Sequence, residues 1–102
     1  MKHPIPVKPV PPGDMLEAEF MRPLGLGRAE TARRLGVPAN RITQIIKGTR
    51  AITPETALRL EALFGWPAAY WMRHQAEYDL DQARQADGPR IRKEVRPVRE
   101  SA

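Results

Sequence analysis

Residues 28–47 read RAETARRLGVPANRITQIIK, and the steric demands set by three of them decide the fold. Ala32 is small where two helices must come close. Gly36, four positions later, can take the positive-φ backbone of a tight turn, and Ile42, six further on, can anchor a second helix to a core. The combination fits the helix-turn-helix template, in which the second helix enters the DNA major groove. The neighbouring residues obey the same partition. Leu35, Val37 and Ile45 are apolar where burial is needed, while Arg28, Arg33, Arg34, Asn40, Arg41, Gln44 and Lys47 are polar where DNA or water would lie.

The charge distribution agrees with this reading. The chain carries a formal +5, and residues 27–50 alone hold six basic residues against one acidic one, so everything outside them sums to zero. A surplus gathered on the reading unit is what attraction to phosphate requires. At 102 residues the chain has apolar content for one domain with a single core. The absence of cysteine excludes a disulfide framework and any thiolate metal site. No apolar run is long enough to span a bilayer and no signal-peptide succession is present, so a cytoplasmic protein with no membrane partner is expected.

Along the whole chain the pattern predicts an all-α protein of five helices between two extended, disordered tails. Residues 1–11, MKHPIPVKPVP, form a proline-rich flexible arm. The domain proper is residues 12–86. Its first helix starts at Pro12, with Asp14 facing the positive end of the helix dipole, and Leu16, Phe20 and Leu24 recur at four-residue intervals until Pro23 stops it. The second spans residues 28–35. The third starts at Pro38, turns Ile42, Ile45 and Ile46 inward, and stops at Gly48. Thr53, Pro54 and Glu55 open the fourth, whose inner face is Ala57, Leu60 and Phe64, and Gly65 closes it.

The fifth helix, residues 67–86, has two apolar faces. Ala69, Met72, Ala76, Leu80 and Ala83 fall within about 80 degrees of one another on a helical wheel. This small-residue face is expected to lie against the domain's own core. Trp71, Gln75 and Tyr78 fall on another face and are expected to form a homodimer contact, because aromatic residues carry much of the burial at interfaces. Residues 87–102 hold Gly88, two prolines and five basic residues, and read as a basic disordered tail.

On the third helix the inward positions leave Ala39, Asn40, Arg41, Thr43 and Gln44 facing away from the core. Asn40 and Gln44 can pair with adenine and Arg41 with guanine, while Ala39 and the Thr43 methyl can touch thymine methyls. Arg28, Lys47, Thr49 and Arg50 are placed to hold phosphates. No enzyme, cofactor or metal site is expected. Glu17 and Glu19, like Asp79 and Asp81, are two apart and face different ways on a helix. His3 and His74 are isolated, exposed residues with no metal-ligand spacing around them.

Four segments together carry a family resemblance: PGDML, EF and PLGL within residues 12–26, the motif above, GTRAITPETALRL at residues 48–60, and AEYDL at residues 76–80. The chain resembles the HigA-type antitoxins, a branch of the XRE-like helix-turn-helix repressors. The resemblance implies a five-helix lambda-repressor-like domain that forms a homodimer and binds a palindromic operator of double-stranded DNA in its own promoter. It also implies neutralisation of a HigB-type ribonuclease toxin. A free-standing XRE-like repressor with no toxin is the alternative. Four positions depart from the family pattern: Gly27 replaces a capping Ser, Arg28 a Gln, Thr31 a Leu, and Trp66 a Ser or Thr. Thr31 can bond its hydroxyl back to the preceding turn, and Arg28 can meet a phosphate with added charge. A toxin that docks while DNA is bound needs another surface, which leaves the arm, through Ile5, Val7 and Val10, and the carboxylates of Glu17 and Glu19.

Overall fold

The computed structural model describes residues 9–99, so most of the expected arm and the last three residues of the expected tail lie outside it. The described residues form five helices and no strand. The first, α1, changes pitch twice: it is α-helical over Pro12–Met15, π-helical over Leu16–Met21 and 3-10 over Arg22–Leu24. Pro23 has no N–H to give to an α-helical ladder, and the Arg22 N–H reaches back to the Glu17 carbonyl. The wider π turn puts Leu16 and Met21 in the core together. Leu24, which lies past the expected stop at Pro23, is in the 3-10 turn and 64% exposed.

The other four are α2 (Arg28–Leu35), α3 (Ala39–Lys47), α4 (Pro54–Phe64) and α5 (Ala68–Glu94). Thr31 donates its hydroxyl to the Gly27 carbonyl at 2.8 Å, the back-bond expected of a Thr at this position. Gly36 ends α2 with φ 76°, which brings Val37 N–H to the Ala32 carbonyl at 3.0 Å and turns the chain into α3. Thr53 caps α4 by accepting from the Thr56 N–H. The core formed between the helices is Met15, Leu16, Met21, Ala32, Leu35, Ile42, Ile45, Ile52, Ala57, Leu60 and Trp71.

Trp71 corrects the expected orientation of α5. It is fully buried and packs its ring 4.7 Å from that of Phe20, and Gln75 is buried with its Oε1 accepting from the Ile52 N–H at 2.8 Å. Both are therefore core residues of one chain rather than contacts between two. Tyr78 is half-buried against the segment after α3. The small-residue face points the other way: Ala69, Ala76 and Ala83 are exposed and Leu80 is 50% exposed, with Met72 half-buried. Bulk explains the exchange. An indole ring removes far more apolar area from water than a row of methyl groups, and periodicity alone does not say which of two faces turns inward.

α5 also continues eight residues past its expected end at Ala86, through Pro89. That proline gives no N–H to the preceding turn. Arg90 spans the weak point, reaching Asp87 at 3.2 Å and Glu94 at 3.0 Å. Residues 87–94, expected to be disordered, are thus helical. His74, expected to be an exposed bystander, is half-buried and its Nε2 bonds the Val10 carbonyl at 2.8 Å, which fixes the end of the arm to α5.

Candidate nucleic-acid interface

Three contacts fix α3 from behind. Ile42 and Ile45 are buried. Gly13 in α1 lies against the α3 backbone so closely that a Cβ there would stand 2.1 Å from the Ile45 carbonyl oxygen. Any side chain at residue 13 would push the two helices apart. Arg59 of α4 donates through Nη1 to the Leu35 carbonyl at 2.9 Å and through Nε to Glu55 at 2.7 Å, so it clamps the end of α2 beside the Gly36 turn. Sequence reasoning missed both residues. Arg59 was signalled only by its i,i+4 spacing from Glu55, and Gly13 by nothing except its place in PGDML.

With α3 held this way, Ala39 and Asn40 are exposed on its first turn and Lys47, Thr49 and Arg50 are exposed at its end. Arg41, Thr43 and Gln44 between them are half-buried. The nine residues expected to meet DNA therefore do not stand equally free. Arg41 lies 3.6 Å from Glu55, and its side chain is 28% exposed. Arg50 donates Nε to the Gln44 Oε1 at 2.8 Å, while the Thr49 hydroxyl donates to the Gln44 carbonyl at 3.3 Å. With its oxygen occupied, Gln44 offers its NH₂ group outward. That suits acceptors on a base edge better than the bidentate adenine pairing expected from the residue type. Arg28 stands at the start of α2, 3.5 Å from Glu17.

Two other basic residues of the motif are engaged within their own helix. Glu30 accepts from Arg34 at 2.7 Å and also from Arg33. These bonds, that from Arg34 first, hold the Glu30 carboxyl below the usual carboxylate range. Burial, reinforced by Glu19, pushes the Tyr70 phenol up, and its hydroxyl donates to the Met15 sulfur at 3.2 Å. Among the described residues no group of His, Asp and Glu is placed to hold a metal ion, and no helix is long and apolar enough to cross a membrane.

An all-helical domain with a glycine turn between two short helices, the second held from behind and polar in front, defines a helix-turn-helix protein. Residues 18–71 match the helix-turn-helix family model. The chain is 37% identical to virulence-associated protein A of Dichelobacter nodosus over 91% of its length and 88% of that protein's. It is 33% identical to antitoxin HigA-1 of Vibrio cholerae, over 72% of this chain and 69% of that one. Among solved structures, the Pseudomonas aeruginosa antitoxin HigA with higBA promoter superposes with a TM-score of 0.87 at 35% identity, covering 90% of this chain and all of the other. The chain belongs to the HigA-type antitoxins of the helix-turn-helix family.

Proposed function

We propose that the chain is a cytoplasmic, non-enzymatic antitoxin that acts as a homodimer, represses its own promoter through a palindromic operator, and neutralises a HigB-type ribonuclease toxin. The observation that carries the reading is the row formed by Asn40, Arg41, Gln44, Lys47 and Arg50 along and just beyond α3. Amide and guanidinium groups there meet base edges, and the cations at its end meet phosphates. Arg28 and Thr49 add backbone contacts, and Ala39 and Thr43 pack on base methyls. One such helix covers only a few base pairs, so two copies are needed, with half-sites about 34 Å apart. The stripe of exposed Ala69, Ala76, Leu80 and Ala83, with half-buried Met72 among them, is the surface that joins them, since Trp71 and Gln75 are already used within the chain.

The toxin takes a surface away from α3. Glu19 is exposed on α1 and Glu17 lies half-buried beside Arg28, so these carboxylates and the arm form its docking site. Co-expression with the neighbouring gene product decides between this reading and a repressor without a toxin. A stable complex that releases from the chain only on denaturation, together with retarded promoter DNA, supports the antitoxin. Promoter binding without any co-purifying partner leaves the free-standing repressor.

A further inference from the structure

α5 keeps going after it leaves the domain. Its first half carries Trp71 and Gln75 into the core, whereas residues 81–94 continue past it, about 21 Å of further rise. From residue 82 to residue 99 no side chain is buried. A helix end that contains Gly88 and Pro89 is costly to maintain unless something packs on it. Ile91 is 46% exposed and falls within about 20 degrees of Leu80 on the helical wheel, so the apolar stripe proposed above as the surface between two copies runs on through that end.

The charges beside the stripe name the occupant and its direction. Arg73, Glu77, Arg84 and Asp87 follow one edge of it within about 80 degrees, and their signs alternate along the helix. Reversing a copy of the helix about Leu80 sets Asp87 against Arg73 and Arg84 against Glu77. Residues on one edge meet each other when two helices pair antiparallel, and a two-fold axis repeats every such pair. Asp87 gives its Oδ1 to Arg90 and keeps Oδ2 for a partner. The same reversal lays residues 81–92 of one copy along residues 68–79 of the other, the half of α5 that its own domain supports.

The orientation also suits one duplex. Gln75, Tyr78 and Asp79, which line a cavity with Thr49 and Arg50, lie about 105 degrees around α5 from the centre of the stripe. The two-fold axis of an antiparallel pair stands at right angles to both helices, so it keeps these sides on one face of the dimer. The axis of a parallel pair runs along the helices and would turn them opposite ways.

We infer that α5 recognises a second copy of this chain antiparallel, with Leu80 at the two-fold axis, Glu77 paired with the partner subunit's Arg84 and Arg73 with the partner subunit's Asp87. This rests on the homodimer proposed above and adds its direction, its register and the use of residues 81–92.

The test is a charge swap in the full chain, read by sedimentation across a concentration series, with circular dichroism to follow helix content. Glu77 and Arg84 are seven residues apart, about 10.5 Å along one helix and too far to pair within it, so coupling between them is coupling between chains. E77R and R84E are each expected to weaken dimerisation about tenfold or more, because each replaces two attractions by two repulsions. E77R/R84E should restore most of the parent affinity, and added salt should shrink all of these differences. If the parent chain sediments as a monomer at every concentration, the homodimer itself is overturned. If the parent is dimeric and E77R/R84E stays as weak as the single variants, or the single variants match the parent, the dimer stands and this pairing falls. Should the first swap fail to fold, R73D, D87R and R73D/D87R decide the matter by the same comparison.

Discussion

The Arg50 guanidinium donates to the Gln44 side-chain oxygen at 2.8 Å, so the loop after the recognition helix determines which end of that amide faces outward. A residue assigned to phosphate thus also orients a residue assigned to bases. Gln44→Ala should relax base preference at one operator position and cost about 1–3 kcal/mol. Arg50→Ala should weaken binding to every sequence and, by freeing the amide, also change the base preferred at that same position. A double-mutant cycle on the operator checks it: coupled residues give a combined loss smaller than the sum of the single losses. Additive losses would mean the bond is broken in the complex.

Gly13 of α1 lies so near the Ile45 carbonyl of α3 that a Cβ there would stand 2.1 Å from its oxygen. Gly13→Ala should cost about 1–3 kcal/mol of stability, the usual range for overpacking. It should also weaken operator binding in the folded fraction, because the backbone that must yield belongs to the recognition helix. Gly27→Ser provides the contrast. A Cβ at residue 27 meets nothing within 4 Å and the backbone there is extended, so a better cap should leave stability unchanged or slightly raised. Thermal unfolding followed by anisotropy on operator DNA separates the two effects.

The helix-turn-helix was legible because Ala32, Gly36 and Ile42 each meet a steric condition that few other residues satisfy at that spacing. Thr31 was legible for a similar reason, since its hydroxyl has an obvious local acceptor. The inward face of α5 was not. Two apolar stripes on one helix are equivalent in a periodic pattern, and only the space left by Phe20, Phe64 and Ile52 selects the indole over the alanines. The π turn of α1 was hidden because four-residue spacing presumes the pitch it is meant to test. Arg59 and Gly13 act across 24 and 32 residues of chain, and contacts at such separations leave no mark on local pattern.

The α5 stripe makes assembly testable. Leu80→Glu places a charge on an exposed site of one chain, so it should leave helix content intact, yet in a dimer it would bury that charge. Sedimentation should show a folded monomer, and operator affinity should fall steeply because the second half-site is no longer coupled to the first. Trp71→Ala should instead destabilise the chain itself by about 3–5 kcal/mol. A Leu80→Glu chain that remains dimeric would move the interface to another surface.

Glu30 supplies a pH dependence whose sign is fixed by its partners. The bonds from Arg34 and Arg33 favour the carboxylate, so its folded pKa lies below the unfolded one. The stabilisation is therefore complete above the unfolded value and is lost as pH falls through the folded one. Because the carboxylate is solvent-exposed, the contribution should be small and should shrink with added salt. In an NMR titration the Glu30 side-chain carbon should move at lower pH than that of a Glu in an unstructured peptide. Glu30→Gln should reduce the drop in thermal midpoint between neutral and acid conditions. It should also free Arg33 and Arg34, which raises the local positive charge and makes operator binding more steeply salt-dependent. A Glu30 resonance that titrates at or above the peptide value would mean that neither arginine holds it in solution.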